Sequence, residues 1–334
     1  MAATDVALRL TRPASERSAA VRWGLATWKF ARKKPLGAFG AVMVIIIALV
    51  ALFSPVITSW YGYRYDQVDL ANVLSGPTRE HWFGTDENGR DLFARIVAGS
   101  QITALVGLGT VLLVGFLAMM VGVTSGYFGR RADFMIQRVV DIWMSFPGIF
   151  LILALVAVLQ TTTSRGFFGL GRGPELGPNP VDGDWLWYTV PRTTIVIFVL
   201  GVVLAGGASR VVRSAVLAVK ANPYVEAAEA LGATHFRIVM RHVIPNIMPV
   251  VIILATVQLG VAVLAEATIS FLGIGVTNFP TWGQMLAGRT RELAETNLHL
   301  PIFPTIAIFM AVFGFNMLGD ALRDVLDPRL RGSR

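Results

Sequence analysis

The amino-acid sequence contains no cysteine and only four histidines. The absence of cysteine excludes disulfide bonds, thiolate zinc sites and a cysteine nucleophile. His235 and His242, the two histidines closest in sequence, would lie about 10 Å apart along a helix, too far to share one metal ion. The sequence also lacks the G-x-x-x-x-G-K-[S/T] pattern that holds nucleotide phosphates. We therefore expect no metal centre, no thiol chemistry and no ATP hydrolysis in this chain.

Charged residues are also scarce: they make up 15% of the 334 residues, whereas a soluble domain carries about a quarter. Hydrophobic residues reach 54% and are concentrated in long uncharged runs. Most of these runs have or approach the roughly 20 residues that cross a bilayer core of about 30 Å. The sequence therefore predicts an all-α integral membrane protein with six transmembrane helices. The predicted spans are approximately 36–57, 102–124, 142–160, 193–208, 247–271 and 301–319.

The formal net charge of +8 reflects where the basic residues lie rather than an affinity for nucleic acid. Twenty of the 29 Lys and Arg residues fall in the N-terminal tail, the loops at 130–138 and 210–241, and the C-terminal end. The three opposite loops hold the other nine together with eleven acidic residues. Because loops rich in Lys and Arg stay in the cytoplasm, both termini are predicted to be cytoplasmic. The expected surroundings are a lipid bilayer, with no nucleic-acid partner.

The predicted spans divide the chain into one membrane domain and its cytoplasmic segments, with no soluble catalytic domain. Residues 1–35 form a basic tail, residues 36–322 the six-span domain with a cytoplasmic loop at 209–246, and residues 323–334 a C-terminal tail. The first tail is too long and polar for a cleavable signal peptide. Its aromatic and basic residues favour a helix lying at the lipid headgroups, although a disordered tail would have the same composition.

Small residues and a proline within the spans indicate how the helices pack. Glycine lets helix backbones approach closely, and the second predicted span contains Gly107, Gly109, Gly115 and Gly122. Pro147 interrupts the third predicted span and removes a backbone hydrogen bond that neighbouring groups must replace. These features predict a packed bundle rather than an isolated membrane anchor.

Glu266 is the one acidic residue well inside a predicted span, and such residues are costly enough to be functional by default. It either faces a polar pathway or makes a hydrogen bond between helices near the outer end of the fifth span, and we favour the hydrogen bond. Asn316 and Asp141 lie nearer the cytoplasmic ends of their spans. They are predicted to pack helices or to anchor loops, and a place on the polar pathway is a further alternative for Asn316.

The stretch 223–246 is charged although it lies between two apolar spans. Asn222 is a favourable N-cap, and Pro223 suits the first position of a helix. Gly232 favours a turn, and Thr234 can cap a second helix that ends at about Val243. We predict two short helices parallel to the inner membrane surface. They either dock with a cytoplasmic partner or rest on lipid headgroups.

Other charged groups have predicted structural roles. In the segment before the second span, Asp86, Arg90 and Asp91 are expected to form ion pairs, with a contact to a substrate-binding protein as the alternative. Three bases that precede the 223–246 stretch lie on one side of a helical wheel. They are expected at lipid headgroups, with contacts to a cytoplasmic partner as the alternative: Arg210, Arg213 and Lys220.

The spacing of Glu226, Ala227, Ala228 and Gly232 resembles the EAA loop in permease subunits of ATP-binding-cassette importers. That motif continues with Ile-x-Leu-Pro, where this sequence has HVIP at 242–245. Further blocks in the same order resemble the C-type permease subunit of dipeptide, oligopeptide and nickel importers. They are FGTDENGRDLFARIVAG (83–99), GYFGRRADFMIQRVVDIWMSFP (126–147), EATISFLGIG (266–275), TWGQML (281–286) and FNMLGDALRDVLDPR (315–329).

The resemblance implies a type I importer permease fold in a prokaryotic plasma (inner) membrane, and peptides or related small solutes as cargo. It implies a homologous permease as heterodimer partner, two ATPase subunits that hold ATP and magnesium, and an extracytoplasmic substrate-binding protein. No cofactor is expected in this chain, which would be a translocation subunit rather than an enzyme. The residues implied in ATPase docking are Glu226, Ala227, Ala228 and Gly232, with apolar contacts from Tyr224 and Val225.

The alternative is a secondary transporter driven by an ion gradient. Such a carrier needs ionisable residues within the spans that form a proton relay or an ion site. Glu266 is nearly alone in that respect, so the sequence favours the ATP-driven importer.

Overall fold

The structure is a computed structural model that describes residue 32 and residues 34–164, 185–276 and 279–326. Within these ranges the chain is helical, and no β-strand occurs beyond two isolated bridges. The all-α class predicted from the sequence is confirmed. The interfacial helix predicted in the tail 1–35, most of the loop 161–192 and residues 327–334 of the C-terminal tail lie outside the described residues.

The connections between the described helices vary in length, and the longest uninterrupted by a long helix are residues 62–91 and 272–298. In chain order they are α1 (Pro35–Tyr61), α2 (Leu92–Phe128), α3 (Arg130–Ser145), α4 (Gly148–Ser164), α5 (Trp185–Lys220), α6 (Pro223–Ala230), α7 (His235–Ile238), α8 (Ile244–Phe271), α9 (Trp282–Met285), α10 (Arg289–Leu293) and α11 (His299–Leu326). Five are long and apolar enough to cross a membrane: α1, α2, α5, α8 and α11. A π-helical turn at Val239–Val243 joins α7 to α8.

The third predicted span, 142–160, is not one helix. In the structure α3 and α4 meet at an angle of 84°. Phe146 between them is extended, with φ −80° and ψ 133°, because a following proline disfavours the helical conformation. The amphipathic α3 therefore lies before the bend, and α4 supplies the apolar part of the crossing.

The second span begins earlier than predicted, at Leu92 rather than at residue 102. Asp91 caps α2, because its carboxylate accepts a hydrogen bond of 2.7 Å from the N–H of Ala94. The charged Arg95 lies inside this first part of the helix, which is why the hydropathy pattern alone placed the start too late.

Two contacts show which helix ends lie at the same end of the bundle. Lys220 Nζ, at the end of α5, donates a hydrogen bond of 2.6 Å to the carbonyl of Tyr127, near the end of α2. Since α2 and α5 end together, the bent pair of α3 and α4 is the candidate for the crossing between them, which gives up to six candidate spans among the described residues. Lys34 and Asp324 form an ion pair of 2.5 Å, so both ends of the described chain lie on one side.

Helices approach closely at some of the glycines predicted for this purpose. A Cβ atom on Gly122 would lie 2.7 Å from the Cβ of Val212 in α5, and one on Gly109 would lie 2.7 Å from Ile197 Cδ1. Gly115 differs from the prediction, because a Cβ atom there would meet nothing within 4 Å. Its lack of a side chain therefore serves no helix contact in this chain.

One cluster of buried apolar residues extends from the bundle into the connection between α5 and α8. It joins Val114 of α2, Val212 and Val216 of α5, Val225 of α6, and Val243. The connection is therefore part of the packed bundle at the end where α2 and α5 terminate.

Candidate functional site

Residues 221–243 connect α5 to α8 and are called the inter-span loop. Its first helix, α6, starts at Pro223, as predicted. Asn222 occupies the N-cap position but does not cap through its side chain. Its amide instead donates to the carbonyls of Ala218 and Val219, each at 3.0 Å, and so covers the end of α5.

The turn between the two helices of the loop depends on Gly232. Its φ of 81° is left-handed, a conformation that favours glycine. Its N–H donates to the carbonyl of Glu229 at 2.9 Å, and the N–H of Ala233 donates to that of Ala228 at 3.0 Å. This pair of hydrogen bonds is a Schellman motif, which satisfies the last carbonyls of α6.

The second helix of the loop runs into the fifth span without a break. Thr234 caps it, as predicted, through a hydrogen bond of 3.4 Å from the N–H of Arg237 to its hydroxyl. Pro245 cannot donate to a carbonyl four residues earlier, and the π turn before it absorbs this missing bond. Asn246 then donates from its amide to the carbonyl of His242 at 2.6 Å. The loop is consequently a rigid extension of α8.

The inner face of the loop holds it to the bundle. Val225 has 3% of its surface exposed and belongs to the buried cluster, against which Ala228 is partly buried. Val225 was predicted to supply a contact to a partner, and this role is wrong for geometric reasons, because its side chain is enclosed by this chain. Ile238 and Val243, fully buried, complete the inner face.

The outer face of the loop is exposed and combines predicted and unpredicted residues. Tyr224, Glu226, Ala227 and Gly232 of the predicted set are exposed. Two large apolar residues on either side of the glycine turn are exposed as well, Leu231 at 88% and Phe236 at 73%. We call these six residues the outer face: Tyr224, Glu226, Ala227, Leu231, Gly232 and Phe236.

His242, which stands where the EAA motif has isoleucine, is half-buried against Tyr224. The two ring centroids are 6.2 Å apart. The contact braces one edge of the outer face from within the chain. His242 therefore contacts a residue of its own chain, Tyr224, a contact that the sequence did not predict.

The start and the middle of the inter-span loop are tied to the C-terminal end of α2. Lys220 contacts Tyr127 twice, through the carbonyl hydrogen bond and through its ammonium group 5.3 Å from the ring centroid. The hydroxyl of Tyr127 lies 3.0 Å from Nδ1 of His235 at the start of α7. Tyr127 thus links the residue before the loop to the middle of the loop.

The arginines that precede the loop form ion pairs with carboxylates of α3. Arg213 forms a two-point ion pair with Asp133, whose other partner is the Ser125 hydroxyl at 2.5 Å. Arg210 pairs with Asp141 at 2.5 Å, and both side chains are nearly half exposed. The sequence did not predict these carboxylate partners in α3, and headgroup anchoring by the two arginines stays a prediction. These contacts also give Asp141 its anchoring role.

The two polar residues predicted inside the spans lie away from the inter-span loop. Glu266 is 1% exposed and accepts a hydrogen bond of 2.7 Å from Ser270, one turn further along α8. This bond lies within α8, whereas Thr281, the N-cap residue of α9, is a second hydrogen-bonding partner of the carboxylate from another element. Asn316 packs beside Gly260 of α8, where a Cβ atom would lie 3.1 Å from its Oδ1. Asn316 therefore takes part in helix packing, one of its predicted roles.

The opposite end of the bundle is organised by the segment 62–91, called the α1–α2 segment. Arg90 and Asp86 form the predicted ion pair, with Nε 2.8 Å from Oδ2. Asp91 contacts Nδ1 of His81 at 2.8 Å and accepts from the Tyr61 hydroxyl at 3.0 Å. Since α2 has 37 residues, this end lies about 55 Å from the inter-span loop.

Comparison with known proteins identifies, over most of the chain, the importer permease family that the sequence motifs resemble. Residues 118–332 match the family described as binding-protein-dependent transport system inner membrane component. Residues 22–77 match the N-terminal transmembrane domain of oligopeptide transport permease C. The chain is 34% identical to the dipeptide transport system permease protein DppC of Alkalihalophilus pseudofirmus over 320 residues, which cover 96% of this chain and 94% of that protein. It is 30% identical to the glutathione transport system permease protein GsiD of Escherichia coli O6:K15:H31 over 306 residues, which cover 91% and 90% of the two chains.

Proposed function

Because the chain belongs to the family of inner membrane components of binding-protein-dependent transport systems, we propose that it forms part of the translocation pathway for peptides or related small solutes. Membership makes it a multi-pass permease subunit of an ATP-driven importer rather than an enzyme, working with ATPase and substrate-binding partners. The peptide cargo is supported by the names of two relatives, one for dipeptide and one for glutathione, itself a small peptide.

The complex we propose contains a homologous permease as heterodimer partner, two ATPase subunits and one extracytoplasmic binding protein. ATP and magnesium bind to the ATPase subunits, and this chain holds no cofactor. The termini and the inter-span loop face the cytoplasm. This orientation rests on the excess of Lys and Arg at that end of the chain.

The outer face of the inter-span loop is the proposed ATPase docking surface. The observation that carries this proposal is the exposure of Leu231 and Phe236 on a loop whose inner face is packed into the bundle. Apolar side chains in the centre of an interface contribute most of its binding energy when they enter pockets of the partner. Glu226 beside them adds a charged group that a complementary partner surface would orient.

Coupling follows from the rigid attachment of this surface. The inner face of the loop packs in the same cluster as α2, α5 and α8. A displacement of the docked loop, driven by closure of the ATPase subunits on ATP, therefore moves these helices together. The bundle has two arrangements, one open to each side of the membrane. The state of the ATPase subunits determines which of the two has the lower free energy.

The proposal is tested with the complex purified in nanodiscs. We expect Leu231→Ser with Phe236→Ser to lower co-purification of the ATPase subunits at least tenfold and to abolish ATP-driven dipeptide uptake. The matched control is Leu298→Ser, which changes a leucine of 63% exposure at the opposite end of the chain. If the double variant assembled and transported like the control, the docking assignment would be wrong. Uptake by the chain alone under an ion gradient would instead identify a secondary transporter.

A further inference from the structure

A cleft of about 800 Å³ lies at the end of the bundle opposite the inter-span loop. One wall is the α1–α2 segment, and the other is the connection between α8 and α11. The first wall is held by Asp86, whose Oδ1 accepts from the backbone N–H groups of Asn88 and Arg90, each at 2.9 Å. Its Oδ2 takes the Arg90 side chain at 2.8 Å. The cleft is therefore a built feature with a fixed wall.

Arg95 lines this cleft with most of its hydrogen-bonding capacity unused. The residue is 7% exposed, and its guanidinium group has five N–H donors. Its contacts include a long hydrogen bond of 3.4 Å to the carbonyl of Tyr65 and an ion pair of 3.5 Å with Asp86, and the Glu87 carboxylate lies close enough to attract it without a hydrogen bond between them. Asp86 already has closer partners in Arg90 and Asn88. A buried guanidinium in this state favours an additional anionic acceptor.

Glu87 lines the same cleft, and one oxygen of its carboxylate lacks a hydrogen-bond donor among the described residues. Its Oε2 is buried and has no hydrogen-bond partner within the part of the chain that the structure describes. An ionised carboxylate only accepts hydrogen bonds, so the complementary group is a donor, best a cationic one. The cleft therefore offers one unsatisfied donor group and one unsatisfied acceptor group.

The balance of charges selects the chemical class of ligand. Asp66, Asp86 and Glu87 in the lining repel a simple anion, and Arg90 and Arg95 repel a simple cation. A molecule that carries a carboxylate and an ammonium group satisfies both sides. The volume is in the range of pockets that enclose small organic ligands, and apolar lining residues such as Leu92 and Met285 accommodate side chains.

We propose that this cleft binds a small zwitterion, an amino acid or a short peptide with free termini, whose carboxylate contacts Arg95 and whose ammonium group contacts Glu87. Its use in transport rests on the proposed function, in which this end faces the binding protein and receives released cargo. Binding itself does not depend on transport, because the groups that carry it belong to this chain alone.

The test is equilibrium binding of radiolabelled dialanine to the purified complex in nanodiscs, without the binding protein and without ATP. We expect saturable binding with one site per complex that Glu87→Gln and Arg95→Gln each weaken at least tenfold. The matched controls are Glu80→Gln and Arg79→Gln, which change exposed residues of the same segment that do not line the cleft, and they leave binding unchanged. Alanine and tetraalanine, used as competitors, distinguish a free amino acid site from a peptide site.

Peptides with one terminus chemically blocked show which residue contacts each end of the ligand. N-acetyl-dialanine should bind the wild type weakly and lose nothing further in Glu87→Gln, whereas dialanine amide should be insensitive to Arg95→Gln. If Arg95→Gln does not fold, Glu87→Gln with the acetylated peptide decides the matter alone. Absence of saturable binding, or equal loss with the control variants, overturns the proposal. A complex that binds dialanine here but imports no peptide would instead contradict the proposed function and leave the site standing.

Discussion

At the scale of single residues, Gly232 determines how the outer face is presented. Its φ of 81° lies in the left-handed region, and a Cβ atom there would meet nothing within 4 Å. Only the backbone, and no neighbouring side chain, resists a substitution at this position. The turn between Leu231 and Phe236 therefore depends on the ease with which glycine adopts the left-handed backbone conformation.

The first prediction concerns this preference. We expect Gly232→Ala to destabilise the chain by about 1 kcal/mol, because a left-handed residue with a Cβ atom costs roughly this much. Gly232→Val should cost more and Gly232→Asn less, since asparagine tolerates the left-handed region. The measurement is the midpoint of thermal unfolding of the complex, followed by its intrinsic fluorescence.

Gly115→Ala is the matched control for Gly232→Ala. Gly115 also has open space at its Cβ position, but it lies within α2. Alanine there should be neutral or stabilise the helix by about 0.5–1 kcal/mol. Equal destabilisation by both substitutions would contradict a backbone origin for the cost at Gly232.

The residues of the inter-span loop also show what the sequence reveals at this scale. Helix capping and turn preferences located Pro223, Gly232 and Thr234 correctly because these are local properties of the chain. The division into inner and outer faces was not predictable from eight residues of α6. It depends on where α5 and α8 pack, and so Val225 was assigned outward while Leu231 was overlooked.

At the scale of helices, α3 is held against α5 by two ion pairs of different burial. Asp133 and Arg213 have 19% and 31% of their side chains exposed, whereas Asp141 and Arg210 have 48% and 44%. Solvent screens the second pair more strongly, so it contributes little. The first pair is the one expected to position α3 beside the inter-span loop.

The second prediction is a charge exchange at the more buried pair. Asp133→Arg should destabilise the complex by roughly 1–2 kcal/mol, because Arg213 then faces a like charge and loses charged hydrogen bonds. Arg213→Asp in the same chain should restore most of the loss in thermal stability and in uptake. The same exchange at Asp141 and Arg210 should change stability by less than about 0.5 kcal/mol. A failure of the exchanged pair to recover would mean that Asp133 acts through Ser125 instead.

The helices themselves were more predictable than their ends. Apolar runs located every long helix because crossing a bilayer requires many consecutive apolar residues. The bend between α3 and α4 was signalled by Pro147, yet its angle depends on the partners that hold α3. The early start of α2 at Leu92 was hidden because Arg95 is buried by tertiary contacts within a helix that looked too polar.

At the scale of the whole molecule, the outer face and the cleft lined by Arg95 and Glu87 lie at opposite ends of a bundle with five or six candidate spans. The odd number of crossings between Leu231 and Leu298 follows from the single span α8 that separates them. Because the chain has no cysteine, each position can be converted to the only thiol in the protein. A thiol reagent that does not cross membranes then reports the side on which it lies.

The last prediction uses Leu231→Cys, Leu298→Cys and Val225→Cys. Leu231→Cys should react with a membrane-impermeant maleimide only in inside-out vesicles, and Leu298→Cys only in intact cells, because both side chains are exposed at opposite ends. Val225→Cys should react from neither side until the protein is denatured, since that side chain is buried. Added ATPase subunits should slow the labelling of Leu231→Cys and leave Leu298→Cys unchanged, because docking covers only the outer face. Labelling of both exposed positions from the same side would refute the topology, whereas unprotected Leu231→Cys would refute docking alone.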